Sequence, residues 1–167
     1  MTSTFHLELS KPSAKLYHVH LLTHQGDFLL GDLSGEHTQL NPSGQIAVAE
    51  WQQSAAAHQR DIELDLWAVL PNGVQALIAV INSDSQLSSY GSRNISPKPP
   101  RALSSFVAGF KAAAAKRINL VRGRPGAPVW QRGYREQCID DPKTLTRIRH
   151  LLINQVQGAG MLPETWG

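Results

Sequence analysis

The chain has 167 residues, of which 41% are hydrophobic and 17% charged, so it can bury a core and is not a disordered protein. At roughly 150 residues per domain, this length predicts a single domain over residues 1–167. The longest apolar run, Ala76 to Ile81, is too short to cross a bilayer, and the first residues show no secretory pattern. Cys138 is the only cysteine and cannot form an intramolecular disulfide. We therefore expect a cytoplasmic protein that does not bind a membrane.

The net charge of +3 is divided unevenly along the sequence. Residues 1–83 contain three Lys or Arg and eight Asp or Glu, whereas residues 84–167 contain thirteen and five. A basic half on a protein of modest net charge indicates a polyanionic partner, of which nucleic acid is the first candidate. The alternative is a solvated basic face without any partner, and charge alone does not separate the two.

The first half of the chain predicts mainly strands. Residues 16–24 are rich in β-formers, and residues 28–40 fit a hairpin that turns at Ser34-Gly35. Asn41-Pro42 is an N-cap followed by a proline at the first helical position, and Val48, Trp51 and Ala55 then form one apolar helix face. Residues 61–70 predict a strand in which Ile62, Leu64 and Leu66 share a face, and residues 74–81 predict a buried central strand.

The second half predicts two helices around one further strand. Residues 82–100 are rich in Ser, Asn and Pro and are expected to be a flexible loop. A helical stripe follows, formed by Leu103, Phe106, Val107, Phe110, Ala114 and Ile118. After a strand near 129–139, Asp141-Pro142 begins a last helix whose stripe is Leu145, Ile148, Leu152 and Val156. The predicted class is α+β, an antiparallel sheet with helices on one face plus a C-terminal helix.

Several segments, in the right order over most of the chain, resemble one family. They are Tyr17 to Leu40, Leu70-Pro71-Asn72, Ser105 to Lys111, Val129 to Tyr134 and Arg149 to Asn154. Together they are similar to the HUH-type single-tyrosine transposases, which include the REP-associated tyrosine transposases and the insertion-sequence-200-like transposases. The resemblance implies a ferredoxin-like sheet.

In that family, two histidines one residue apart hold a divalent metal against the scissile phosphate, and a tyrosine on a C-terminal helix attacks it. This sequence has Gly73 and Gln75 where the resemblance places the histidines, and His150 where it places the tyrosine. Asn154, one turn after His150, is retained. Glycine has no ligand atom and an amide is a poor substitute for imidazole. The resemblance therefore implies an inactive homologue with no catalytic residues, no metal and no cofactor.

Other residues could be mistaken for the missing chemistry. His18 and His20 form a His-x-His pair on the first strand, but no carboxylate or cysteine lies at ligand spacing beside them, so a chance histidine-rich strand is favoured over a metal site. Tyr134 could substitute for the lost tyrosine, but an aromatic residue beside a strand usually packs. His150 is interpreted as a polar surface residue, and Cys138 as a small core residue.

The candidate nucleic-acid-binding residues lie on the helix, loop and strand that border the DNA groove in the resembled family. They are Lys111, Lys116, Arg117, Arg122, Arg124, Arg132 and Arg135. The leading hypothesis is a domesticated, inactive transposase-like domain that binds single-stranded or hairpin DNA, with DNA favoured over RNA. The alternative is a protein-interaction subunit of a larger assembly. A residual nuclease using His18, His20 or His150 is the least favoured, and the resemblance is compatible with a homodimer.

Overall fold

The computed structural model describes residues 14–35, 37–81 and 100–158, with side chains to residue 155. The strands are β1 (Ala14–Leu22), β2 (Gly31–Ser34), β3 (His37–Leu40), β4 (Ile62–Leu70), β5 (Gly73–Ile81) and β6 (Arg135–Ile139). The helices are α1 (Pro42–Ala57), α2 (Arg101–Val121) and α3 (Pro142–Gly158), and a short 3-10 helix spans His24–Gly26. No helix of the described ranges is long and apolar enough to cross a membrane.

The central sheet has the strand order β4-β5-β1-β6, and all neighbouring strands are antiparallel. Along the chain, β1, α1, β4, β5, α2 and β6 follow the βαββαβ order of a ferredoxin-like fold. The hairpin β2–β3 is inserted between β1 and α1 as a separate two-stranded sheet. The predicted α+β class and its ferredoxin-like sheet are confirmed.

The helices α1 and α2 cover one face of the sheet. The apolar stripe predicted for α2 is buried along its length, from Leu103 to Ile118. At the centre of this core the Trp51 ring makes edge-on contacts with Phe106 and Phe110, with both centroid distances 4.9 Å. Such T-shaped contacts are a favoured geometry for aromatic pairs and add to the burial of the rings. This face therefore contains the larger hydrophobic core.

The predicted helix starts of α1 and α3 are confirmed by their caps. The Asn41 side chain accepts a hydrogen bond from the Gly44 N–H at 2.9 Å and donates to the Leu29 carbonyl at 2.9 Å. At the start of α3, Asp141 Oδ2 accepts from the Thr144 N–H at 2.8 Å. Each cap satisfies a backbone donor that the first helical turn leaves without a partner.

The predicted alternation of β4 is wrong at one point. Ile62 and Leu64 pack towards α1 and α2, but Leu66 belongs to the cluster under α3 on the opposite face. The register with β5 shifts between Leu64 and Trp67, which indicates a β-bulge. An extra residue in one strand reverses the facing of all later residues. Asp65 lies two residues after Glu63, whose partner Ala79 is in the cluster under α3, so it faces α3 as the simple alternation predicts.

Two further predictions need correction. The strand expected over 129–139 is shorter, since β6 begins at Arg135 and Trp130 forms only an isolated bridge with Thr23. Cys138 is exposed on the edge strand rather than buried in the core. Most of the loop predicted over 82–100 lies outside the described residues, as does the side chain of Val156.

Candidate functional site

The face of the sheet under α3 is apolar at one end and polar at the other. At the apolar end α3 packs on the sheet through a buried cluster that consists of Leu16, Leu66, Leu77, Ala79, Ile139, Leu145, Ile148 and Leu152. Strand side chains alternate between faces, so residues two or four positions from Leu16, Leu77 and Ile139 lie on the same face as this cluster. They form the polar patch, defined here as His18, His20, Gln75, Arg135 and Gln137.

The register brings the polar patch together from three strands. His20 of β1 is directly opposite Gln75 of β5 on one side and Arg135 of β6 on the other. His18 Nε2 lies 3.3 Å from Gln75 Oε1, a hydrogen bond when that nitrogen carries the proton. His18 and His20 therefore point to the same face, as predicted, and next to a residue that the sequence resemblance had singled out. Sequence reasoning missed this contact because the two residues are 57 positions apart.

Partial burial alters the protonation of the two histidines. Burial lowers the pKa of His18, although its hydrogen bond with Gln75 acts in the opposite direction. Burial also lowers the pKa of His20, and the neighbouring charges of His18 and Arg135 add to the effect. Both shifts favour the neutral form of the rings.

Gly73 is required by the close approach of β5 and β1. A Cβ atom at this position would collide with the backbone carbonyl oxygen of Leu21. The residue at the first of the two degenerate metal positions therefore lacks a ligand, and the present backbone has no room for one. Gly73 stands where the resembled family has a histidine, and the packing of β1 against β5 requires a glycine at this position.

His150 and Asn154 lie on the outer side of α3, away from the polar patch. Both are exposed and line an open groove of about 670 Å³ along the helix, together with Lys143, Arg147 and Leu151. The opposite side of α3 packs on the sheet through its leucine and isoleucine stripe. Within the described part of the chain, neither His150 nor Asn154 hydrogen-bonds to Gln75. The structure therefore places these two degenerate positions on the exposed side of α3, not on the side that packs on the sheet.

Tyr134 lies against the core under α2, so it is not on the α3 face. Its hydroxyl is 3.3 Å from Ser104 Oγ, and burial raises the pKa of the phenol. A raised pKa makes the phenolate, which is the nucleophilic form, less accessible at neutral pH. These observations support the interpretation of Tyr134 as a packing residue.

Comparison with known proteins gives structural likeness only. No protein-family model matches the chain, and no curated protein matches it. A candidate transposase from Deinococcus radiodurans R1 is 18% identical, with 84% of this chain and 91% of that chain covered and a TM-score of 0.46. A REP-associated tyrosine transposase bound to a REP hairpin is 17% identical, with 93% and 73% covered and a TM-score of 0.48.

Three of the seven candidate nucleic-acid-binding residues are used inside the protein. Lys111 Nζ donates to the carbonyls of Gln131 (2.7 Å) and Gly133 (2.8 Å). Arg117 forms a 2.7 Å ion pair with Glu50. Arg122 donates from Nε to Asn119 Oδ1 at 2.8 Å and from Nη2 to the Pro128 carbonyl at 3.0 Å. Each of these side chains therefore uses part of its hydrogen-bonding capacity to stabilise the fold.

The other four, Lys116, Arg124, Arg132 and Arg135, are exposed. Among the described residues, none of their side chains makes a hydrogen bond or an ion pair. Arg124 lies beside Arg122 at a cavity of about 240 Å³, which His24 and Asp27 also line. Arg132 is on the short segment that Lys111 holds. The cationic groups that remain available therefore flank the connection between α2 and β6.

This connection, residues 122–134, is called the basic loop below, and it is held by many hydrogen bonds. Trp130 is buried, and its Nε1–H donates to the Lys111 carbonyl at 3.2 Å. Backbone hydrogen bonds join Val129 to His24 and Gln131 to Leu22. Although the basic loop contains three glycines and two prolines, these hydrogen bonds fix it to β1 and α2.

Proposed function

We propose that the protein is a transposase-like domain that binds nucleic acid, single-stranded or hairpin DNA in particular, without cleaving it. The observation that carries the proposal is the charge of one continuous segment. From Lys111 to Arg135 the chain contains seven Lys or Arg and no Asp or Glu. Phosphate neutralisation by such groups supplies most of the sequence-independent affinity for nucleic acid.

The rigidity of the basic loop supports the same proposal. Because hydrogen bonds fix the loop, Arg124 and Arg132 are presented to solvent without the entropy loss of ordering a mobile segment on binding. The neighbouring cavity at Arg122 and Arg124 is bordered by both guanidinium groups and by His24. Cationic donors on a fixed backbone suit contacts with phosphates, which position a nucleic acid without reading its sequence.

The absence of cleavage is supported by the chemistry of the degenerate positions. Gly73 has no donor atom and no space for one, and Gln75 offers an amide, which is a weak ligand for a divalent metal. Among the described residues, no group of three or more His, Cys, Asp and Glu side chains could hold a metal ion. Position 150 holds an exposed imidazole rather than a phenol. These features of the described residues support a domain that does not carry out a covalent phosphotyrosine step.

The binding proposal is tested by fluorescence anisotropy with labelled single-stranded and hairpin DNA over a series of salt concentrations. We expect affinity to fall steeply with salt, and Arg124→Ala with Arg132→Ala to lower the salt slope by about 1.4 for single strands. The matched control is Lys143→Ala with Arg147→Ala, which removes the same charge from α3 and should leave the slope unchanged. Equal losses in both double variants would contradict a role for the basic loop.

The same samples test cleavage on denaturing gels. The DNA should stay intact, with no covalent protein–DNA adduct in the presence of Mg²⁺ or Mn²⁺. An adduct would overturn the proposed inactivity but leave the binding proposal standing. If the wild-type protein retains neither DNA nor RNA at near-physiological salt, the protein-interaction alternative replaces the proposal, and the basic loop becomes the surface for an acidic protein partner.

A further inference from the structure

The polar patch brings together side chains that can bind a metal ion and that are distant from one another in the sequence. His18 and His20 occupy positions i and i+2 of β1, so their imidazoles leave the same face of the strand about 7 Å apart at Cα. Gln75 is in register with His20 and hydrogen-bonds to His18. One imidazole therefore contacts the amide oxygen, and the second belongs to the residue paired with Gln75 on the adjacent strand.

From this juxtaposition we infer that His18, His20 and Gln75 bind a divalent transition-metal ion of the zinc type. Two donors bound tetrahedrally to one zinc ion at about 2.0–2.1 Å are about 3.3–3.4 Å apart. His18 Nε2 and Gln75 Oε1 are already 3.3 Å apart. The ion takes the place of the proton shared by these atoms, and the imidazole proton moves to Nδ1.

The ligand set determines which metal fits. Imidazole nitrogen suits zinc, copper, nickel and cobalt, whereas Mg²⁺ and Ca²⁺ require oxygen ligands. Three protein ligands leave a fourth position for water or another small donor, as in an open zinc site. The site shares Gln75, a weak amide ligand, with the degenerate pair, but its two imidazoles come from the neighbouring strand β1. The site does not depend on nucleic-acid binding.

The positive charge of Arg135 provides a further test of the proposed metal site. Arg135 is directly opposite His20 on β6, and its positive charge already influences that imidazole. The same charge opposes a cation bound at His20, because like charges at this separation repel. Removal of the charge should therefore strengthen metal binding, whereas a variant that only loosened the fold would weaken it.

The experiment uses the full chain without nucleic acid, with Zn²⁺ titrated by calorimetry and Co²⁺ followed by its visible absorption. We expect one ion per chain, and at least a tenfold loss of affinity in His18→Ala and in His20→Ala. Gln75→Ala should weaken binding several-fold. His150→Ala, which removes an exposed imidazole from α3, is the matched control and should bind as wild type.

Two variants are expected to bind the metal ion more tightly, a result that misfolding cannot produce. Gln75→Glu supplies a carboxylate ligand and should bind Zn²⁺ about tenfold more tightly, and Arg135→Gln should bind it several-fold more tightly. Zn²⁺ should also raise the melting temperature of the wild type but not of the doubly substituted His18→Ala, His20→Ala protein. The inference is overturned if the wild type shows no saturable binding, or if His18→Ala and His20→Ala bind as the wild type does. The DNA titrations test a separate proposal, so their interpretation does not depend on the outcome of the metal titrations.

Discussion

The two faces of the central sheet are used differently. The face under α1 and α2 is covered by an apolar core in which Trp51 contacts Phe106 and Phe110, and all three rings are fully buried. The face under α3 is apolar only at the end where α3 packs, and it continues into the polar patch. One face therefore carries most of the stability, and part of the other is free to bind a ligand.

The largest expected effect of a single change is on the α1 and α2 face. Phe110→Ala removes a fully buried ring that contacts both Trp51 and Trp130, and should cost about 3–5 kcal/mol of unfolding free energy. Leu152→Ala is the matched change under α3 and should cost about 2–3 kcal/mol, because the smaller cluster can relax around the cavity. Urea unfolding measures both. A larger loss for Leu152→Ala would reverse the comparison.

The ion pairs of the two faces should differ in the same experiment. Arg149 donates to Asp65 Oδ2 from Nη2 at 2.8 Å and from Nε at 3.1 Å, and the two side chains are 20% and 6% exposed. Asp65→Ala leaves a largely buried guanidinium without this carboxylate and should cost about 2–3 kcal/mol.

Glu50→Ala provides the matched comparison under α1 and α2. Its partner Arg117 is 48% exposed, so water replaces the lost carboxylate and the cost should stay below about 1 kcal/mol. Equal losses for Asp65→Ala and Glu50→Ala in urea unfolding would show that exposure of the remaining arginine does not set the cost.

Two glycines that differ in available space should give effects of opposite sign. Gly73→Ala places a Cβ against the Leu21 carbonyl and should destabilise the protein by about 1–3 kcal/mol. Gly109 is exposed in the middle of α2 and has open space around it, so Gly109→Ala should stabilise by about 0.5–1 kcal/mol. Thermal melts of the two variants should shift in opposite directions. An unchanged melt for Gly73→Ala would mean that β1 and β5 can separate here, and a histidine at this position would then be tolerated.

Local patterns predicted the parts of the fold that local forces determine. The stripe of α2 follows from the 3.6-residue period, and the starts of α1 and α3 follow from Asn41 and Asp141, whose side chains bond within their own first turn. The order of elements also limited the topology to an α+β sheet. These predictions succeeded because the interacting atoms are only a few residues apart along the chain.

The candidate site was less predictable. Sequence reasoning singled out Gln75 and, separately, the pair His18 and His20, but only the register of β1 with β5 joins them. It also treated Arg122 as free for phosphate contacts, whereas the guanidinium is bonded to Asn119 and Pro128. Partners for a long cationic side chain depend on which carbonyls and amides the folded backbone brings near it.

The sequence by itself determined the class of fold, the position of the main core and the concentration of positive charge between Lys111 and Arg135, because composition and periodicity contain this information. Only the tertiary structure decided which charges remain available, that a bulge in β4 turns Leu66 to the α3 face, and that His150 lies on the exposed side of α3. Each of these depends on contacts between residues distant in sequence. A one-residue change of register or of strand length alters them without altering the pattern that predicts the strand.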